Sequence, residues 1–427
     1  MKVQIVTLGC ARNETDSEEL AGRLAAADIG LVDDEDDADL VLVNTCGFID
    51  AAKKDSIDVI LAAGKPVVAV GCLAERYGAQ LAAELPDVTV WGFDAYPGIA
   101  DRLRELAGEQ PPRRPARKLE LATPIVQPES TFARELLRHS RSAPLKIATG
   151  CDRRCTFCAI PGIRGRFHSR PIAEVVAEAR WLAAQGIAEV VLVSENSTSY
   201  GKDLGPGEDL VALLRALEAV EGLAWVRVVY LQPAETRPQL IEQIANSRVP
   251  YFDLPFQHVS PAILKRMRRY GDTEQFLGLL AKIRAVNPRA GVRSNFIVGF
   301  PGETEAELEL LAEFVNAAEL DAIGIFGYSD EEGTEAHALD GKLPQGEINA
   351  RVDWLADITE EAVAQRAERR VGERVEVLID YDGSARAAHQ GDDDGSTTIE
   401  NPMPGTLGCA IVTANEGVDL LARMITR

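Results

Sequence analysis

The sequence predicts an α/β protein in three parts: an N-terminal open parallel sheet, a central partial (β/α)6 barrel and a small C-terminal β-barrel. Three observations predict it. Short β-branched runs alternate with helical patterns up to about Leu106. After a proline-rich, charged interruption the alternation resumes through six βα units. Beyond a long charged helical stretch, roughly the last 55 residues keep strand runs and turn residues but lose the helical period.

Taken in order, runs at residues 3–7, 40–44 and 67–70 read as strands, and 17–26, 51–63 and 74–85 as the helices between them. Strand–helix–strand connections of that length join parallel neighbours, so the first part is Rossmann-like. Residues 1–6 are its first strand and not a signal peptide. Residues 110–118, QPPRRPARK, have the prolines and charge of an exposed linker. Strand runs then recur at 145–149, 189–193, 225–230, 251–254, 293–298 and 322–328, with helical patterns such as 172–184, 210–219 and 303–317 between them. Six units fall short of the eight-fold ring, which predicts an open, TIM-type barrel. A charged helix over 345–370 leads to a strand at 375–379 and to turns rich in Gly and Asp. The expected boundaries are 1–109, a linker at 110–142, a barrel at 143–370 and a β-barrel at 371–427.

Lys plus Arg number 45 against 67 Asp plus Glu, a net charge of -22. Such a chain repels a polyanion unless basic residues gather locally, and a basic partner suits it better. Solubility or a saline habitat accounts for the same charge equally well. No apolar run approaches the ~20 residues that span a bilayer, so no membrane partner is expected. Seven cysteines without a secretory signal point to metal or reactive thiols in a cytoplasmic protein, not to a disulfide framework.

Residues 149–161, TGCDRRCTFCAIP, place Cys151, Cys155 and Cys158 at C-x3-C-x2-C just after the first barrel strand. Three thiolates on one tight loop can hold three irons of a [4Fe-4S] cluster and leave the fourth iron open to an outside ligand. A structural zinc needs a fourth donor. The nearest, His168, stands ten residues further on, past a Pro-Gly turn. Zinc and a purely electron-transferring cluster are the alternatives.

Cys10, Cys46 and Cys72 are separated by 35 and 25 residues, too far for a local motif. Each follows a strand of the first part, and the carboxyl ends of parallel strands share one edge, where ligands bind. Gly9, Gly47 and Gly71 beside them allow close backbone approach. A second [4Fe-4S] cluster with an open iron, able to hold sulfide, is expected there; three unrelated core thiols are the alternative. Cys409 has no such companions and reads as a small buried apolar residue.

A C-x3-C-x2-C loop on the first strand of a βα barrel resembles the signature of the radical S-adenosylmethionine enzymes. The resemblance implies S-adenosylmethionine as a cofactor, chelated on the open iron and reductively cleaved to a 5'-deoxyadenosyl radical. It also implies that Phe157 lies near the adenine and that Ser194, Glu195 and Asn196 lie near the methionine or ribose. Gly299, in the segment 297–303 (IVGFPGE), would complete the pocket. No catalytic side chain is expected, because the cofactors carry the chemistry.

With both cysteine sets in view, nearly the whole chain resembles the methylthiotransferases, and among them the bacterial family that modifies an aspartate of a ribosomal protein. The likeness is carried by residues 44–53 (NTCGFIDAAK), 164–166 (RGR), 194–201 (SENSTSYG), 256–260 (FQHVS) and 328–334 (YSDEEGT). Thr149, where relatives have an acidic residue, and the segment near Gln232-Pro233 depart from the pattern. The family implies that one S-adenosylmethionine methylates a sulfur on the Cys10, Cys46 and Cys72 cluster while a second yields the radical. The radical removes a β-hydrogen from an aspartate of small-subunit ribosomal protein twelve, and the product is 3-methylthioaspartate. An electron donor such as a flavodoxin or ferredoxin is implied as well. The alternatives are a transfer-RNA methylthiotransferase, a radical enzyme without sulfur transfer and a non-catalytic iron-sulfur protein.

The C-terminal part resembles a TRAM module, which in relatives binds RNA. From Val371 onward it has four basic and ten acidic residues, a net of -6, so a basic ribosomal protein is the expected partner and direct RNA binding is not expected outside the ribosomal context. A merely solvated turn at residues 392–394 is the alternative. Arg164, Arg166, His168 and Arg170 could grip a carboxylate or be an ordinary exposed loop. His258 could meet substrate or be a satisfied structural histidine.

Overall fold

Parallel pairing of β-branched runs organises most of this molecule. The computed structural model describes residues 1–108 and 134–425, and the chain divides into two compact units, Met1–His139 and Ser140–Arg427.

In the first unit β1 (Lys2–Thr7), β2 (Gly30–Leu31), β3 (Leu40–Thr45), β4 (Val67–Gly71) and β5 (Thr89–Val90) form a parallel sheet ordered β2-β1-β3-β4-β5. Helices α1 (Ala11–Ala25), α2 (Asp50–Ala62), α3 (Cys72–Glu84) and α4 (Ile99–Leu106) cover it. Every residue of β3 and β4 is buried, which is why they read as near-continuous apolar runs. Alternation splits them between two cores. Leu42, Val68 and Val70 pack with Leu20, Leu24, Ile99 and Leu103, while Val41, Val43 and Ala69 pack with Ile60. Helix α1 starts at Ala11, well before the expected 17, because its first turns are polar yet buried: Arg12, Asn13, Thr15 and Asp16. The expected linker lies outside the described residues as far as 133. At Arg134 the chain meets α1 again through a buried ion pair with Glu18 at 2.6 Å.

The second unit opens with β6 (Ser142–Lys146), β7 (Ala148–Thr149), α5 (Ile160–Arg164), β8 (His168–Ser169), α6 (Ile172–Ala184) and β9 (Glu189–Val193). It continues through α7 (Leu210–Glu218), β10 (Trp225–Val228), α8 (Pro238–Ala245), β11 (Tyr251–Asp253), α9 (Pro261–Met267) and α10 (Thr273–Val286). Then come β12 (Gly291–Val298), α11 (Glu305–Ala318), β13 (Ala322–Gly327) and α12 (Gln345–Glu368). Six of these strands form the open barrel, in two parallel runs, β6-β9-β10 and β11-β12-β13. Where the ladder lapses between β10 and β11, Asp253 bridges it: its carbonyl accepts from Leu231 N–H at 2.9 Å and its carboxylate from Tyr230 N–H at 2.8 Å. The expected first strand at 145–149 is two: β6 stops at Lys146, and β7 turns off to pair antiparallel with β8.

The last strands, β14 (Arg374–Ile379), β15 (Ala385–Ala387), β16 (Thr397–Ile399), β17 (Leu407–Glu416) and β18 (Asp419–Met424), form a nearly closed barrel ordered β15-β14-β17-β18-β16. It sits under the amino ends of the six barrel strands. Leu378 and Ala388 pack with Ala188, Trp225, Val249 and Tyr251. Polar contacts complete this floor: Arg141 N–H to Asp380 (2.8 Å), Trp225 Nε1 to Glu376 (2.6 Å), Arg293 to Asp394 (2.7 Å) and Arg370 to Asp321 (2.5 Å). At its centre Arg227 and Glu189 pair at 2.8 Å with no side-chain exposure, and Arg386 reaches the same carboxylate. Burial alone would raise the Glu189 carboxyl, but Arg386 and Arg227 overcome it and hold it below the usual range.

This buried pair gives a stability test. Arg227→Met removes one of the two cations on the Glu189 carboxylate and leaves Arg386 as the other, so the cost is expected below the about 3–5 kcal/mol of breaking a buried pair outright, read as a lower denaturant midpoint of the second unit. Because the native carboxyl is depressed, its contribution is present above the ordinary glutamate value of ~4.3 and is lost as pH falls through the lower native value. The gap between wild type and variant should therefore shrink in acid. A variant as stable as wild type at pH 7 would show that the pair is energetically idle.

Candidate functional site

Neighbouring strands lie ~4.8 Å apart, so three adjacent strand ends fall within about 10 Å. β1, β3 and β4 are consecutive neighbours in the first sheet. Cys10 caps the start of α1, Cys46 follows β3 directly, and Cys72 opens α3 directly after β4. They run from exposed Cys10 through half-buried Cys46 to buried Cys72. Asn13 ties the three loops together: its Nδ2 donates to Leu8 O (2.7 Å) and Thr45 O (3.1 Å), and its Oδ1 receives the Cys72 thiol at 3.7 Å. Behind it, Asn44 Nδ2 donates to Asn13 O and to Ser17 Oγ, both at 2.9 Å. Ser56 Oγ accepts from Cys46 N–H at 3.0 Å. Gly71 has φ +91°, and a Cβ there would lie on the Asn44 side-chain oxygen and the Thr45 backbone, so only glycine lets β4 deliver Cys72.

In the second unit the cysteine loop leaves β7 at the carboxyl end of the barrel. Gly150 (φ +79°) starts the turn, with no room for a Cβ against the Arg166 carbonyl. Cys151 N–H donates to Gly165 O and Cys158 N–H to Cys155 O, both at 3.1 Å. Thr156 stitches the loop to the end of α9, its N–H to Met267 O (3.2 Å) and its Oγ1 to Arg266 O (2.8 Å). Burial pushes the Cys158 thiol up to about 12, with Cys155 and Cys151 adding to the rise. Burial raises Cys151 as well, with Cys155 and Glu195 contributing. Thiols crowded in this way ionise readily only against a metal's positive charge, so the donor set suits a cluster. Among the described residues no three His, Cys, Asp or Glu side chains gather around a point that would hold a single ion. A [4Fe-4S] cluster instead takes one thiolate at each of three separate irons.

The five residues singled out for S-adenosylmethionine all stand at this carboxyl end. Phe157 packs with Ile263, Met267, Phe300 and Tyr328, which brings it to the segment that begins at Gly299. Gly299 N–H donates to Glu303 Oε1 at 2.9 Å, and its α-carbon faces Ile348 of α12. Ser194 and Asn196 are buried after β9, with Asn196 N–H on Ser194 Oγ at 3.1 Å. Glu195 faces the cysteine loop and lies 4.0 Å from Arg164 Nε.

Two open alternatives are decided and one expectation changes. Arg164 and Arg170 are turned to Glu195 and Glu178, whereas Arg166 and His168 are exposed, 3.6 and 3.5 Å from Asp152 and Asp203, so the four do not form one carboxylate clamp. His258 is fully buried; its Nδ1 accepts from Val259 and Ser260 N–H, which puts the proton on Nε2, 3.3 Å from Glu303. It is the structural histidine. Cys409 is half-buried on β17, not a core residue. Sequence reasoning missed Asn13, Asn44, Ser56 and Thr156. Polar residues inside a helical or strand pattern beside a cysteine were the available signal.

The open six-stranded barrel with its three-cysteine loop defines the class of the radical S-adenosylmethionine enzymes. Residues 145–315 match the Radical SAM superfamily, and residues 2–92 match the "Uncharacterized protein family UPF0004". The solved structure of the radical S-adenosylmethionine methyltransferase TsrM from Kitasatospora setae, with cobalamin and a [4Fe-4S] cluster bound, has TM-score 0.53 and 16% identity over 76% of this chain and 72% of that one. That likeness is one of fold alone. Proteins named ribosomal protein uS12 methylthiotransferase RimO, from Kineococcus radiotolerans and Nocardioides sp., are each 53% identical to this chain. They cover 100% and 99% of it, and 97% of their own lengths. The chain belongs to the RimO family.

Asn13→Ala tests the scaffold of the first site without touching a cysteine. It leaves two carbonyls without their donor, at about 1–3 kcal/mol for each buried group. Faster amide exchange at residues 8–10 and 45–46 is the expected readout, and unchanged exchange would deny Asn13 its tying role.

Proposed function

We infer that this chain is a radical S-adenosylmethionine methylthiotransferase of ribosomal protein uS12, converting an aspartate to 3-methylthioaspartate with two S-adenosylmethionine molecules and a cluster-bound sulfur. The observation that carries the reading is 53% identity along the whole chain to proteins so named. Two three-cysteine sets at the ends of parallel strands supply the matching chemistry. We assign Cys151, Cys155 and Cys158 to the barrel cluster and Cys10, Cys46 and Cys72 to the second one. Phe157, Ser194, Glu195, Asn196 and Gly299 are assigned to the S-adenosylmethionine pocket. The functional parts are 1–109 for the second cluster, a linker at 110–142, the barrel at 143–370 and a TRAM-like module at 371–427.

When bound, the barrel cluster supplies the electron that splits S-adenosylmethionine, and the second cluster supplies the sulfur that is transferred. The residues hold, orient and shield. Asn13, Ser56 and Thr156 fix the loops that present the thiols. Phe157 packs on a buried apolar cluster that includes Phe300 and Tyr328, and a water-poor backing of this kind suits radical chemistry. A C–H beside a carboxylate is too weakly acidic for a side-chain base tuned near neutral pH, so hydrogen abstraction needs a radical.

A small one-electron protein such as a flavodoxin or ferredoxin is the reductant this chemistry asks for. A basic partner would not meet several of the acidic residues of the C-terminal part. Glu373, Glu376, Asp380, Asp392 and Asp394 of the C-terminal part are paired within the floor. The exposed acidic run of Asp33, Asp34, Asp36 and Asp37 in the first unit supports such a partner instead. We propose no direct RNA contact. No helix among the described residues is long and apolar enough to cross a membrane, and free cysteines favour a cytoplasmic setting where thiols stay reduced.

Anaerobic reconstitution should give about eight irons per chain, and about four after Cys10, Cys46 and Cys72 are all changed to Ala. Cys151→Ala, Cys155→Ala or Cys158→Ala should abolish 5'-deoxyadenosine formation. The triple variant at Cys10, Cys46 and Cys72 should still form 5'-deoxyadenosine but no methylthio-aspartate on uS12, measured separately by mass spectrometry. Full product from that variant would end the methylthiotransferase reading, and modified nucleosides in place of modified uS12 would move the substrate to transfer RNA.

A further inference from the structure

Arg269 is an arginine with no acidic partner beside the cysteine loop. Helix α9 ends at Met267, and Arg268 takes the left-handed conformation (φ 53°, ψ 44°) that closes it. Arg269 N–H then donates back to Leu264 O at 2.8 Å, which reverses the chain. The reversal separates two neighbouring cations. Arg268 points to solvent and pairs with Glu335 at 2.6 Å, whereas Arg269, half-buried, turns inward. Its Nη2 donates to Pro255 O at 2.5 Å and its Nη1 to Cys155 Sγ at 3.8 Å. Among the described residues no carboxylate pairs with it. Thr156, the residue after Cys155, is fastened to Arg266 O and Met267 O of the same helix end, so guanidinium and thiol are held on one scaffold.

A half-buried cation normally has a carboxylate counter-charge. Here the group it meets is the Cys155 sulfur, which carries negative charge when it ligates a cluster. Hydrogen bonds to cluster sulfurs and the net charge around them set the potential of an iron-sulfur cluster. A fixed positive charge stabilises the reduced, more negative state more than the oxidised one.

We propose that Arg269 is a positioning residue of the barrel cluster: it donates an N–H···S bond to Cys155 and raises the potential at which the cluster accepts its single electron from the protein donor. This rests on Cys155 being a cluster ligand, as assigned above. The Pro255 contact aims the guanidinium, and the Arg268 turn keeps the neighbouring cation away.

The test is an EPR-monitored redox titration of the full chain in the Cys10, Cys46 and Cys72 to Ala background, so that one cluster is observed. Arg269→Gln should lower the reduced-to-oxidised ratio at a fixed potential about tenfold, a shift of about 59 mV for a one-electron couple. Arg269→Lys, which keeps the charge, should recover much of it, and Arg268→Gln should leave the ratio unchanged. An EPR signal that responds to S-adenosylmethionine but titrates identically in Arg269→Gln and Arg268→Gln would overturn the proposal and leave the cluster assignment standing. A signal absent even without a change at residue 269 would overturn both. Should Arg269→Gln bind no iron, 15N-arginine labelling decides: a guanidinium-nitrogen coupling to the reduced cluster that is lost in Arg269→Lys supports the bond, and no such coupling without a change at residue 269 refutes it.

Discussion

Everything functional here depends on one constraint: strands linked through helices pair in parallel, and parallel pairing collects all their carboxyl ends on one edge. In the first sheet that edge receives Cys10, Cys46 and Cys72 from three adjacent strands. In the barrel it receives the Cys151, Cys155 and Cys158 loop, the residues after β9 and the segment at Gly299. Thiols far apart in sequence need no long-range matching to meet. They need only adjacent strands and a glycine where the backbone passes closest, as at Gly71.

The same constraint leaves the amino ends of the barrel strands exposed, and the acidic C-terminal barrel covers them. Its charge is spent largely on holding that position. Asp394 meets Arg293, Glu376 meets Trp225 and Arg248, and Arg386 joins Arg227 on Glu189. Charged pairs in such a floor add little over apolar packing, but each fixes register, because a misplaced docking would strand a buried charge. A net charge counted along the sequence therefore overstates what this module shows to a partner.

The architecture was legible because both kinds of evidence for it are periodic or local. β3 and β4 are near-continuous apolar runs, and the motif of Cys151, Cys155 and Cys158 lies within eight residues. What the sequence hid was polar and buried at once. The first turns of α1, with Arg12, Asn13, Thr15 and Asp16, look like a solvated loop and were left out of the helix. His258 was ambiguous until its ring nitrogens had partners, Val259 and Ser260 N–H on one side and Glu303 on the other. The basic cluster at Arg164 to Arg170 looked like one unit until Arg164 and Arg170 turned to Glu195 and Glu178, leaving Arg166 and His168 exposed. In every case the missing information was the identity of a long-range polar partner, which no period in the chain encodes.

The Glu303 carboxylate shows how such partners divide labour at the barrel's working end. It accepts from Gly299 N–H, meets Arg351 of α12 at 2.7 Å and stands 3.3 Å from His258, so three segments converge on one fully buried side chain. A buried carboxylate so placed is costly unless each contact is made, and each contact is made only when the loops after β11 and β12 and the start of α12 hold their places together. The loop that begins at Gly299 is thereby fixed from behind, through backbone and charge. On the same loop Phe300 packs into the apolar cluster of Ile263, Met267 and Tyr328, against which Phe157 lies. Glu303, His258 and Arg351 thus hold the loop from behind through contacts with one another, so its position is set by groups that need not touch a substrate.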